Sequence, residues 1–172
     1  MFKIDYAELS DAEILGEIHA ASWKEAYKEI IPHEVLRKFT AEKREEYFYK
    51  AIIEKRGQNA VIYKDDTPAG LICIGKCRDE DRYDTYGEIW GIYLKPEFWN
   101  MGIGYELMTW GIEELKKQGY SKVTLWVLKD NHGARRFYEK YGFFPDGTEK
   151  EIHVGKVLKE LRYEMSIPCA PE

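Results

Sequence analysis

The chain has 172 residues, a formal net charge of −5 and 33% charged side chains, a length at which one domain buries about two thirds of its unfolded surface without staples. That acidic balance argues against a dedicated nucleic-acid binder, which needs Lys and Arg in excess to hold a phosphate backbone. The three cysteines, Cys73, Cys77 and Cys169, are an odd number without a Cys-x-x-Cys or His-x-x-His companion, so they read as free thiols of a reducing compartment and not as a metal or disulfide set.

A first strand is expected over about Phe2 to Glu8. Ser10 and Glu13 have the spacing of a capping box, and the helix they would start carries Ile14, Leu15, Ile18 and Ala21 on one face to about Glu25. A second helical block follows Pro32 with Val35, Leu36 and Phe39. A third starts at Thr40 as N-cap, carries Tyr47, Phe48, Ala51 and Ile52, and ends at Gly57. The outer faces of these helices, rich in Lys, Glu and Arg, read as solvated surface. Two strands, about Asn59 to Lys64 and Ala69 to Lys76, flank the turn Asp65 to Pro68. A polar loop from Arg78 to Thr85 leads to a strand over Tyr86 to Lys95, stopped by Pro96.

The next helix should bury Ile103, Leu107, Met108, Gly111, Ile112 and Leu115, with Lys116 and Lys117 in its last turn. Val123 to Leu128 is a near-continuous apolar run, as expected of a strand covered on both faces beside a parallel neighbour. A helix from about His132 to Gly142 and two strands, about Phe143 to Thr148 and Leu161 to Ile167, close the chain. This order predicts one α/β domain over residues 1–172 with a mixed sheet. The N-terminus has no basic region followed by an apolar stretch, and no run approaches the roughly eighteen apolar residues of a membrane span. A cytoplasmic protein without membrane or nucleic-acid partners is expected.

The most informative segment is Lys95 to Leu107, where a strand passes into a helix through Gly102 and Gly104. A helix N-terminus has unpaired N–H groups and roughly half a positive charge, so it favours oxyanions, and glycines let a pyrophosphate approach the backbone. A dinucleotide fingerprint would need a third glycine where Leu107 stands, and would not leave seven residues between Leu94 and Gly102. A P-loop would need Gly-Lys-Ser/Thr, which is absent.

Trp99-Asn100-Met101-Gly102-Ile103-Gly104 resembles motif A of the GCN5-related N-acetyltransferases (GNAT), Arg/Gln-x-x-Gly-x-Gly/Ala, with Trp99 departing from its first position. Asn131, Ala134, Phe137, Tyr138, Gly142 and Phe143 match the family's second signature, Asn-x-x-Ala-x-x-Phe/Leu-Tyr-x-x-x-Gly-Phe. The two signatures span 19 of the 172 residues. The resemblance implies an acetyltransferase fold in which two parallel central strands splay apart and acetyl-CoA enters between them. No metal is implied. By resemblance the cofactor contacts are Ile92, Tyr93 and Leu94 on the strand, Asn100, Met101, Gly102, Ile103, Gly104 and Tyr105 at the glycine loop, and Asn131 and Tyr138 on the later helix.

The expected activity is direct acetyl transfer to a primary amine of a small molecule or peptide. Tyr138 is the expected general acid, since a phenol stays protonated at neutral pH and can supply a leaving thiolate. Glu88 is the expected base; it stands eleven residues before Trp99, the offset at which histone acetyltransferases of this superfamily place their glutamate. Nearby Tyr86, Trp90 and Tyr93 would desolvate it and raise its pKa. The branch that takes its base from the following strand would require one where Trp126 stands, and an indole accepts no proton. The Ile92 N–H is expected to meet the oxyanion.

Trp23 and Tyr27, with Glu88 and Trp90, are expected to border the acceptor; the aromatic group Trp23, Tyr27, Tyr83, Tyr86 and Trp90 suggests a small-molecule pocket. Asp79, Glu80, Asp81, Asp84 and Glu88, against Arg78 and Arg82, suggest a negative rim and a cationic acceptor. None of the four histidines has a spacing that assigns it a role. Two other readings stay open: a non-catalytic acyl-CoA sensor, and an interaction module that kept the fold and lost the cofactor. A monomer or a homodimer paired through an exposed C-terminal sheet edge is compatible with the pattern.

Overall fold

The computed structural model describes residues 1–169. Seven strands form one sheet in the order β1-β2-β3-β4-β5-β7-β6: β1 (Phe2–Tyr6), β2 (Gln58–Lys64), β3 (Thr67–Lys76), β4 (Tyr86–Leu94), β5 (Lys122–Leu128), β6 (Phe144–His153) and β7 (Val157–Ser166). The helices are α1 (Ala12–Ala26), α2 (His33–Leu36), α3 (Ala41–Ile53), α4 (Ile103–Lys117) and α5 (His132–Tyr141). Every strand pair is antiparallel except β4 with β5, which α4 joins by a crossover. No helix among the described residues is long and apolar enough to cross a membrane.

Both faces of the sheet are covered. On one, Ile103, Leu107, Met108, Ile112 and Leu115 of α4 are buried against Ile72, Ile74, Ile89, Val123 and Leu125, each such side chain contributing about 1.5–3 kcal/mol by leaving water. Gly111 lets α4 lie close, because a Cβ there would stand 2.5 Å from Ile72. On the other face, Leu15 and Ile18 of α1 and Phe48 of α3 pack on Val61 and Leu71. A third cluster joins Ile31 and Leu36, around α2, to Leu128 and Leu158. It closes the α1–α2 segment over the ends of β5 and β7.

Local chemistry explains where elements begin and end. Asp65 and Asp66 both adopt positive φ, +47° and +64°, which gives the β2–β3 hairpin the twist of a two-residue turn. The Thr40 side chain accepts the Lys43 N–H as α3 begins, and Asn131 accepts the Ala134 N–H as α5 begins. Three expectations need correction. The capping box lies at Glu8 and Asp11 around a 3-10 turn, Leu9–Asp11, and not at Ser10 and Glu13. Helix α3 ends at Ile53, before Gly57. The last two strands are ten residues each: cross-strand ion pairs such as Lys150–Glu160 (3.5 Å) and Lys159–Glu149 (3.6 Å) support a hairpin too charged to read as strand by hydropathy.

Candidate active site

Parallel pairing of β4 with β5 involves only Tyr86, Gly87 and Glu88, opposite Lys122, Val123 and Thr124. Beyond Glu88 the two strands part, and β5 continues along β7 alone. The Lys95 N–H donates to the Ala69 carbonyl at 2.9 Å, and this pair shares the register Leu71↔Tyr93 and Gly70↔Leu94. Since hydrogen-bonded and non-bonded pairs alternate in an antiparallel ladder, Tyr93 gives its backbone to β3 while Ile92 and Leu94 turn theirs toward the gap. The expected backbone contact at Tyr93 is therefore corrected. Leu94 offers only its N–H, because its carbonyl accepts the Trp99 indole N–H at 2.9 Å.

That bond accounts for the unusual first residue of the glycine motif. Trp99 folds back onto the end of β4 and braces the loop instead of extending a charged side chain. Asn100 (φ +60°) and Gly102 (φ +80°) turn the chain into α4. No atom lies within 4 Å of a Cβ built at Gly102, and the nearest to one at Gly104 is Phe137 at 3.4 Å, so the N-terminus of α4 is open to an incoming group. Ile103 is fully buried, and can offer only its backbone, whereas Met101 and Tyr105 are exposed beside it. This cradle and the Ile92 edge have the donors and the room that a pantetheine pyrophosphate requires.

Tyr138 of α5 packs near Tyr163 and Phe143, with ring centroids 6.4 and 6.1 Å away. Burial, with Tyr93 nearby, holds its hydroxyl well above the ordinary tyrosine range, so it remains protonated. Burial also raises Tyr27 and Tyr93, and Tyr27 feels both Tyr93 and Tyr138. Tyr27, the C-cap residue of α1, thus lies near Tyr93 of β4 and Tyr138 of α5. Trp23 stacks on Phe39 at 4.4 Å and meets Tyr27 edge-on at 4.8 Å. The Asn131 oxygen is engaged by the α5 cap, at 3.2 Å.

Glu88 lies on β4 with only 1% of its surface exposed. Burial raises its pKa above the usual 4.5, although Arg78 opposes the shift. Arg78 Nε donates to Oε2 at 2.7 Å, while Oε1 has a longer contact, 3.3 Å, to the Arg78 backbone N–H. Oε1 is thus the freer atom for a proton. Trp90 is the extra residue of a β-bulge, where Cys73 and Ile74 oppose Gly91 and Ile89. Its indole donates to the Lys76 carbonyl at 3.0 Å and has the Arg78 guanidinium 4.3 Å above it.

The acidic loop does not form the expected negative rim. Asp79 and Asp81 are bound by Arg162 at 3.2 and 2.7 Å, Asp84 by Lys76 at 3.0 Å and Glu88 by Arg78. Arg162 also holds Asp146 at 2.6 Å. The Trp126 indole donates to Asp79 at 3.1 Å. Tyr83, 82% exposed, stands away from the aromatic pocket. Cys77, Asp79 and Glu88 bring three potential metal ligands together, but both carboxylates are engaged by arginines. Burial pushes the Cys73 thiol up to about 12, which leaves it a poor nucleophile.

Sequence reading missed a second cluster on the α1–α3 side of β4. Arg44, Arg56 and Arg78 line a cavity of about 70 Å³ with His19, Asn59 and Tyr93. Arg44 had counted as part of a solvated helix face. Its position four residues before buried Phe48 was the available signal that it turns inward.

Comparison with known proteins places residues 18–143 in a match to the family described as acetyltransferase (GNAT) family. An uncharacterized N-acetyltransferase of Bacillus subtilis, YuaI, is 30% identical over 145 residues, covering 82% of this chain and 79% of that protein. The spermidine N(1)-acetyltransferase of Thermoplasma acidophilum is 27% identical over 161 residues, covering 91% and 94%. The crystal structure of the PaiA N-acetyltransferase from the same organism, in complex with coenzyme A, superposes with a TM-score of 0.79 at 24% identity, covering 96% of this chain and 99% of that one.

Proposed function

The chain belongs to the acetyltransferase (GNAT) family and is an N-acetyltransferase; from that premise we propose that it transfers an acetyl group from acetyl-CoA directly to a primary amine of a small molecule or peptide, in the cytoplasm. The observation that carries this reading is the parting of β4 from β5 after Glu88. It leaves the Ile92 N–H facing a gap between the open N-terminus of α4 and the Tyr138 hydroxyl.

The Ile92 carbonyl and the Leu94 N–H pair with the pantetheine arm as a neighbouring strand would, and the N–H groups at Gly102 to Gly104 hold the pyrophosphate. Asn131, through its amide nitrogen, contacts the same arm. Trp23 and Tyr27 border the acceptor. Glu88 takes the proton of the attacking ammonium at Oε1, directly or through one water, and its raised pKa makes it a better base than an exposed glutamate. The Ile92 N–H donates to the oxyanion as the C–N bond forms. When the C–S bond breaks, the nitrogen releases its second proton to solvent while Tyr138 gives its proton to the thiolate and is reprotonated from solvent, so that one proton leaves overall, the one Glu88 took. The protein works as a monomer or as a homodimer paired along β6.

Two measurements test this. Excess acetyl-CoA should raise the melting midpoint by roughly 5 to 10 °C at a hundred times its dissociation constant, while NADH and ATP should not. Release of free CoA that depends on an added amine should follow. Failure of the first removes the cofactor; success of the first without the second favours an acyl-CoA sensor.

A further inference from the structure

The cavity between α1, α3 and β4 holds polar groups without partners. His19 and Asn59 are 3% and 6% exposed and line it, yet His19 Nδ1 and Asn59 Oδ1 make no hydrogen bond. Arg44 Nε is buried and unpaired as well. A buried polar atom left without a partner costs about 1–3 kcal/mol, and more when charged. Three such atoms around one cavity mark a place built for a ligand.

The charge of that ligand follows from the lining. Arg78 is matched by Glu88, and Arg56 by Glu54 at 2.7 Å. Arg44 has no carboxylate partner among the described residues; its guanidinium lies 4.3 Å from the Tyr47 ring centroid, and Arg56 is 5.5 Å from the same centroid. No Asp or Glu is among the residues lining the cavity. His19, whose pKa burial and then Arg44 push down to about 3, is neutral near pH 7 and can present an N–H to an oxygen. The cavity therefore holds one uncompensated positive charge.

We propose that this cavity receives the carboxylate of the acceptor, so that the substrate is an amino-carboxylate and not a polyamine. The inference rests on the transferase reading above and adds the chemical class of its acceptor. Arg44 forms the ion pair, His19 and the edge of Arg56 supply further donors, and Asn59 accepts from an N–H of the same ligand. A volume of about 70 Å³ is roughly the room of two water molecules, enough for a carboxylate at the end of a longer molecule. The wall includes Gly91 and Tyr93, the residues on either side of Ile92, so the anion would be held on the strand that faces the reacting bonds.

The test is acetylation at saturating acetyl-CoA of free amino acids and dipeptides, their carboxamides, spermidine and phosphoethanolamine, followed by CoA release. Carboxylates should exceed their carboxamides at least tenfold in kcat/KM. Arg44→Gln should cut that advantage below threefold by raising the acceptor KM, with the KM for acetyl-CoA unchanged, and Arg44→Lys should recover part of it. Preference for carboxamides or spermidine, preference for the phosphate, or undiminished discrimination in Arg44→Gln would each overturn the proposal. Turnover of cationic amines alone leaves the transferase reading standing and removes only this inference. A midpoint raised by acetyl-CoA without turnover of any amine overturns both. The comparison of wild-type substrates needs no variant, so a poorly folded mutant does not weaken it.

Discussion

Two charged regions flank β4, and they differ in how their charges are matched. Toward β6 and β7, Arg162 is 2% exposed and satisfied on every side by Asp79, Asp81, Asp146 and Thr148. Toward α3, Arg44 is half-buried with an unpaired Nε. The first arrangement ties the loop after β3 to the closing hairpin, and holds the segment that leads into Glu88. The second meets no carboxylate among the described residues, and its guanidinium lies against the Tyr47 and Phe48 rings. Sequence counts of charge suggested the reverse, an acidic rim open to a cation. A charge is available to a ligand only where the fold leaves it unmatched.

The largest effect should come from breaking the matched region. Arg162→Met would leave two or three acidic groups without their partner, and removing one member of a buried pair costs about 3–5 kcal/mol, or roughly 10 to 15 °C in the melting midpoint for a domain of this size. A midpoint within 3 °C of wild type would mean that the network does not hold the loop.

The same region has a pH signature. Burial would raise Asp146, but the Thr148 N–H and Arg162 win and hold it below 3.8; Asp81 is lowered chiefly by its hydrogen bond to Arg162. A depressed folded-state pKa contributes stability that is present above the unfolded value and lost as pH falls through the folded one. Melting midpoints of the wild type should therefore drop as pH falls below about 4, and Arg162→Met should flatten that drop. Parallel curves would separate the carboxylates from the network.

Changes at the gap should act on rate. Tyr138→Phe should lower kcat roughly a hundredfold while acetyl-CoA affinity, followed by the melting shift, stays nearly unchanged; an unaltered rate would remove Tyr138 from the mechanism. Glu88→Gln should also slow turnover by about a hundredfold and abolish the acid limb of the pH–rate profile. In the wild type that limb should lie above pH 4.5, because burial raises Glu88. A mutant with the wild-type profile would exclude it as the base.

The smallest effect sharpens the contrast. Arg44→Met removes a partly buried charge that no carboxylate among the described residues matches, so the midpoint should stay level or rise by up to about 3 °C. A fall comparable to that of Arg162→Met would show that Arg44 braces the fold and not a ligand.

What the sequence determined is local. The period of Ile103, Leu107, Met108, Ile112 and Leu115 specified α4 and its buried face, because one apolar stripe at helical spacing has a single way to leave water. Thr40 and Asn131 marked helix starts, and the glycine motif with the Asn131 to Phe143 signature pointed to the cofactor side of the site. Tertiary structure decided the rest. The free edge at Ile92 depends on strand register and on β5 turning to β7, and the engagement of Leu94 on Trp99 folding back. Pairing of Asp81 with Arg162, 81 positions apart, and the isolation of Arg44 beside Phe48 depend on which side chains the fold brings within a few ångströms. Coulomb energy and desolvation act over such distances through space, and residue order carries almost no trace of them.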